Sequence, residues 1–249
     1  IRVRLLLLAL LPLGVVLPVL LAVLAIWGGG LFDSLLIAKV RTDLAVAHGY
    51  FERVAEGVGR SVDGLAASER FLRIQSGPPA QRSALLENLL ANERRLQRLD
   101  FMHFFDVDRS RQEARQWPVI RAAVEGVART ETEVFSAAQL AAIDPALANQ
   151  ALTTILPTTN AIHDRRQVED RGLVIHAASP VRDAAGKLLG VLVGGVLLNK
   201  NLAFIDRLNE IVYPDGSLPL GSVGTATLFL DDVRIATNVR LFEGVRAIG

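Results

Sequence analysis

The run Gly172-Leu173-Val174-Ile175-His176-Ala177-Ala178-Ser179-Pro180-Val181 is followed by Asp183-Ala184-Ala185-Gly186 and then by Leu188-Leu189-Gly190-Val191-Leu192-Val193-Gly194-Gly195-Val196-Leu197-Leu198. The first run reads as a strand and the four residues after it as a turn. The second is apolar on both faces, which predicts a strand in the middle of a sheet. Together they predict a hairpin in which Arg182 pairs with Lys187, Ser179 with Gly190, Ala177 with Leu192, His176 with Val193 and Ile175 with Gly194. Opposed residues share a face. Ser179, Gly190 and Gly194 therefore lie on one side of the sheet, and His176, Ala178 and Arg182 on the other, so a single pocket cannot receive both His176 and Ser179.

Upstream of the hairpin, Phe101-Met102-His103-Phe104-Phe105 reads as another strand, with Asp106-Val107-Asp108-Arg109 as the turn that ends it. A helix opens near Pro118, whose ring is tolerated in a first turn, and another covers 136–152. Downstream, a helix over 199–212 leads into a linker marked by Pro214, Gly216, Pro219 and Gly221. Thr225–Leu230 and Val233–Val239 then form a second hairpin turning at Asp231-Asp232. Two strands alone are marginal, so this hairpin is expected to open a further unit that continues beyond Gly249.

The apolar excess sits at the front. Leu5 to Trp27 carries no charge, Arg2 and Arg4 precede it, and the next basic residue is Lys39. A run of that length predicts a transmembrane helix with its N-terminus in the cytoplasm and the remainder outside. Its length and its Ala-Ile-Trp end argue against a cleaved signal peptide. Apolar residues at Leu44, Ala47, Phe51, Val54, Ala55, Val58, Val62 and Leu65 then recur at helical spacing, predicting a stalk helix over 31–72, roughly 60 Å long at ~1.5 Å per residue. Ser76-Gly77-Pro78-Pro79 breaks it before a second amphipathic helix carrying Leu85, Leu86, Leu89, Leu90, Leu96 and Leu99. The expected organisation is a cytoplasmic tip and transmembrane helix over 1–30, a stalk over 31–75, a sheet domain over 76–213, and a linker with the second hairpin over 214–249. The fold class is α+β with an antiparallel sheet.

Composition narrows the chemistry. Of 249 residues 51% are hydrophobic and 21% charged, mean hydropathy is +0.34, and 27 Lys and Arg face 26 Asp and Glu. This excludes a disordered chain, and the near-zero net charge gives no reason to expect nucleic acid as a partner. The absence of cysteine excludes thiol catalysis, thiolate metal sites and disulfides. No phosphate loop, dinucleotide fingerprint, nucleophile elbow or zinc-protease motif is present. His48, His103, His163 and His176 are scattered without metal-ligand spacing, and no cofactor is expected. Arg111, Arg115, Trp117 and Arg121 cluster around one aromatic. Such a group either clamps a carboxylate while the indole covers its apolar part, or is a solvated face in a chain whose only lysines are Lys39, Lys187 and Lys200.

Three stretches carry a family resemblance: Glu169 to Asp183, Gly194 to Asp206, and Gly224 to Val239. In their order after an apolar run and a long helix, they resemble the extracytoplasmic double-Cache sensor region of bacterial receptors. The first looks like the opening strand of that family's central hairpin, the second like its exit into the connecting helix, and the third like the start of the membrane-proximal unit. The resemblance implies a PAS-like sheet with a pocket for a small molecule in the distal unit, a homodimer, an inner-membrane anchor and a periplasmic sensor. It also implies a cytoplasmic output, either a sensor histidine kinase of a two-component system or a methyl-accepting chemoreceptor. The expected ligand is a small anionic metabolite held by Arg115, Trp117 and Arg121, with His176, Ser179 and Arg182 as polar partners. The rivals are an anchored enzyme, for which no nucleophile and base stand at recognisable spacing, and a ligand-free dimerisation module.

Overall fold

A computed structural model describes the backbone of residues 2–156, 166–218, 221–241 and 244–249, and the side chains of these apart from 2–13 and 24–36. His163 and Pro219 lie outside the described residues. Two compact units divide the chain, Ile1–His48 and Gly49–Gly249.

In chain order the elements are α1 (Arg2–Ala66), α2 (Glu69–Gln75), α3 (Pro79–Leu96), β1 (Phe101–Asp106), α4 (Val107–Glu113), α5 (Pro118–Val124), β2 (Arg129–Phe135), α6 (Ala137–Ile143), α7 (Pro145–Ala151), β3 (Thr153–Thr154), β4 (Val168–Glu169), β5 (Gly172–Arg182), β6 (Leu188–Leu197), α8 (Leu202–Val212), β7 (Thr227–Leu230) and β8 (Val233–Thr237). The fold is α+β, as the patterning predicts. The membrane expectation is corrected. Among the described residues no helix is long and apolar enough to cross a membrane. Within the run from Leu5 to Trp27, side chains are described for residues 14–23, a stretch that at ~1.5 Å per residue covers about half of a ~30 Å hydrocarbon core. The inner-membrane localisation expected from that run falls with it.

The second unit is built on an antiparallel sheet of order β1-β6-β5-β2. The twice-apolar strand β6 is interior, as its sequence demands. The hairpin register differs from the expected one by two residues: Ser179 opposes Leu192, Ala177 opposes Gly194 and His176 opposes Gly195. The turn accounts for one residue, since Arg182 pairs with Leu188 and not with Lys187, and a bulge for the other, since Val181 pairs with Gly190 and leaves Leu189 as the extra residue. Because side chains alternate with period two, a two-residue shift leaves every residue on its expected face.

One face of the sheet packs against helices. Val58, Val62, Leu65, Phe71, Leu89 and Leu90 meet Met102, Ile175, Ala177, Val181 and Leu192. Gly194 permits this approach, since a Cβ there would lie 2.9 Å from Val62 Cγ2. The other face holds a second core of Phe101, Trp117, Ile120, Phe135, Leu140, Val174, Val193 and Leu197, covered by α4 to α7.

Three segments depart from the sequence pattern. The helix expected to continue to residue 72 stops at Ala66, and Ser68 begins α2 by accepting a hydrogen bond from Phe71 N. Asp106 does not end in a turn. It caps α4, accepting from Arg109 N at 2.9 Å. The helix expected over 136–152 is two helices broken at Asp144, which caps α7 ahead of Pro145.

Candidate functional site

The cavity face starts from β1. Alternation puts Phe101, His103 and Phe105 on one side of that strand. Their rings follow one another with interplanar angles of 24° and 8°. The cap at Asp106 launches α4 directly from the strand end, and Ser110, fully buried, donates to Phe105 O at 3.0 Å. This geometry lays the Arg109 guanidinium over the Phe105 ring at 4.4 Å, with Glu113 one turn on at 3.9 Å.

The opposite wall comes from α5 and β2. Trp117 precedes Pro118 as the N-cap of α5, and its indole stacks on Phe135 with centroids 4.1 Å apart. Ser136 and Gln139 form a reciprocal capping box that starts α6 immediately after Phe135.

Between the walls lies His176 on the interior strand β5, 3% exposed. Its ring stands edge-on to Trp117 and Phe135, with centroids 5.5 and 5.2 Å away. Its Nδ1 is 2.5 Å from Glu133 Oε2 on β2. Glu133 is 10% exposed, and its other oxygen, Oε1, is buried without a partner among the described residues. Glycine at 195, opposite His176, makes room for Phe101, because a Cβ there would fall 2.6 Å from that ring.

A partly open cavity of about 280 Å³ is bordered by Phe101, His103, Phe105, Arg109, Glu113, Gln116, Trp117, Ile120, Phe135, Ala138, Gln139, Ala142, Ile143, His176 and Val193; Glu133 does not border it. Burial, and then the positive charges of Arg109 and Arg94, push the His103 pKa below its ordinary 6.5. His103 is therefore neutral at pH 7. A larger groove of about 1110 Å³ runs over the helical face past Tyr50, Arg60, Ser61, Arg98 and Arg207. It is more open to solvent than the smaller cavity, which combines aromatic walls with His103 and His176 and is the candidate site.

Of the six expected ligand contacts, Trp117 and His176 line this cavity. Arg115 is exposed. Arg121 is exposed and donates to Ala114 O at 3.1 Å. Arg182 donates to Gly186 O at 2.7 Å, back into its own turn. Ser179 faces the helices and donates to Asp63 of α1 at 2.7 Å. The groups that sequence reading did not single out are Arg109, Glu113, Gln116, Gln139 and Glu133. The last lay in the alternating segment Glu131-Thr132-Glu133, whose period-two pattern is the signal for an edge strand.

The cavity lining holds no hydroxyl or thiol nucleophile among the described residues. Nor do the described residues contain a group of three or more metal-ligating side chains. The arrangement is suited to binding: flat apolar walls fix a shape, and a few buried polar atoms fix an orientation.

The family described as Single cache domain 3 matches residues 196–249, from the end of β6 through α8 to the second hairpin. No curated protein matches the chain. In fold, the chain is similar to the periplasmic domain of Vibrio cholerae LuxQ. One crystal structure of that domain matches with TM-score 0.52 and 13% identity, and another with 0.49 and 11%, each over 84% of this chain and 82% of that one. The family match covers the C-terminal segment, and the likeness to the LuxQ domain is one of fold.

Proposed function

We propose that this chain is an extracellular ligand-sensing module whose cavity, between the β1 aromatic ladder and the Trp117–Phe135 stack, takes a small molecule. The observation that carries the reading is the buried His176, held by Glu133, at the wall of an aromatic cavity. Two ionisable groups held out of water are costly in a purely structural core. A site that uses their hydrogen-bonding capacity repays that cost.

The occupied cavity biases the sheet, and the sheet is tied to α1 through Ser179 and Asp63. A ligand with different affinities for two positions of that helix segment shifts the balance between them. On this reading the module works as a homodimer, the second hairpin belongs to a double-Cache arrangement, and the output is a histidine kinase or a methyl-accepting chemoreceptor.

The test is a thermal-melting screen of the full chain against carboxylates, amino acids and other small metabolites. A ligand at ~100-fold excess over its Kd adds about 2.7 kcal/mol and raises the Tm. That rise disappears in Trp117→Ala while the far-ultraviolet spectrum is retained. A rise equally large in Trp117→Ala, or no rise with any compound, overturns the reading.

A further inference from the structure

Resting on that reading of the cavity, we propose that its ligand is a small planar aromatic or heteroaromatic molecule with no negative charge, which donates a hydrogen bond to His176.

Size and shape come first. An apolar protein cavity of about 150 Å³ accepts benzene, so about 280 Å³ holds one substituted ring or a fused pair. The walls are flat on both sides: the ladder of Phe101, His103 and Phe105 on one, and Trp117 stacked on Phe135 at 26° on the other. Aromatic pairs gain from offset-stacked and edge-to-face contact, so a planar ring meets more favourable geometry here than a puckered one of equal volume.

The polar atoms set the charge and the direction of the hydrogen bond. With Nδ1 directed at the Glu133 carboxylate, the neutral imidazole carries its proton on Nδ1 and keeps Nε2 as an acceptor. The side-chain hydrogen bond of His176 is the one from Nδ1 to Glu133, and His176 borders the cavity while Glu133 does not. The cation at the cavity, Arg109, is already set against Glu113 and the Phe105 ring. Arg115, Arg121 and Arg182, the groups that would clamp an anion, engage elsewhere or face solvent. A carboxylate placed here would meet Glu113, and Arg109, the arginine that borders the cavity, is already set against that same Glu113. A ring N–H or an amidinium meets Nε2 of His176, an acceptor at the cavity wall.

The experiment titrates the full chain calorimetrically with four probes of similar size: indole and benzamidine, which are planar donors, and benzoate and cyclohexylamine, one anionic and one puckered. Two variants accompany it, His176→Phe, which keeps a ring in the wall, and Ala142→Phe, which adds a bulky side chain at the exposed rim to obstruct the cavity. The expected result is binding of indole or benzamidine at least tenfold tighter than of benzoate and cyclohexylamine. That binding weakens about tenfold in His176→Phe and is lost in Ala142→Phe. If benzoate or cyclohexylamine binds tightest and Ala142→Phe abolishes it, the proposed class is overturned while the ligand cavity stands. If no probe binds and Ala142→Phe only raises the Tm, both fall.

Discussion

The two faces of the β1-β6-β5-β2 sheet solve different problems. On the helical face Val62, Phe71, Leu89, Ile175 and Leu192 are at most 1% exposed, and the buried serine there, Ser179, is satisfied by Asp63. On the other face the same strands carry His103, His176 and Glu133 into a region that leaves a cavity and an unpartnered carboxylate oxygen. A face that exists only to hold a domain together is driven toward close packing and paired polar groups. The contrast lies in what the strands themselves carry: the serine of the helical face is paired with Asp63, whereas the other face sets His103 and His176 against a cavity.

The largest test of that contrast compares two phenylalanine deletions. Phe71→Ala, in the closed core, costs about 3–5 kcal/mol in urea unfolding. Phe105→Ala, partly buried beside an existing void, costs about 1–2 kcal/mol, and equal costs would erase the distinction. Next, Ser179→Ala leaves Asp63 without its donor and lowers stability by about 1–2 kcal/mol. Ligand affinity measured calorimetrically is unchanged, because Ser179 faces away from the cavity.

A smaller effect separates the faces by pH. The folded-state pKa of His103 lies below its ordinary 6.5, so on acidification the unfolded chain takes up this proton first. Stability therefore falls as pH drops below 6.5, until the folded value is reached. His103→Phe flattens that part of a Tm-against-pH curve, and an unchanged slope would mean that His103 is not shielded by the cavity face. The smallest expected effect is that of Arg115→Ala combined with Arg121→Ala, which shifts stability by no more than ~0.5 kcal/mol and leaves titration with the planar probes unaltered.

Much of this architecture was legible because it depends on short-range pattern. The double-sided apolarity of 188–198 placed β6 in the interior, and the period-two rule put His176 and Ser179 on opposite faces even though the turn and the bulge at Val181 together shifted the register by two residues. The site was less legible. Arginine clustering at 111–121 drew attention to Arg111 on α4, Arg115 in the loop after it and Arg121 on α5, all of them exposed, whereas Arg109 was hidden in what reads as a turn. Asp106 serves turns and helix caps through the same side-chain acceptor, and only the burial of Ser110 against the strand end decides between them. β2 escaped notice because its alternation is of glutamates and threonines, which signal an edge strand only once a partner strand is in place.

The salt-linked corner by the second hairpin has a consequence for how the molecule comes apart. Arg171 bridges Glu169 at 2.7 Å and Asp231 at 2.8 Å, Arg166 reaches Glu169 and Asp232, and Lys200 N donates to Ile235 O at 2.8 Å. A two-stranded hairpin has little stability of its own, so β7 and β8 borrow theirs from the larger sheet through these bridges. Their amide protons should therefore exchange with solvent only through the opening that also releases β4 and the start of β5, as one cooperative unit. Raising the ionic strength should loosen that unit before it touches the amides of β6.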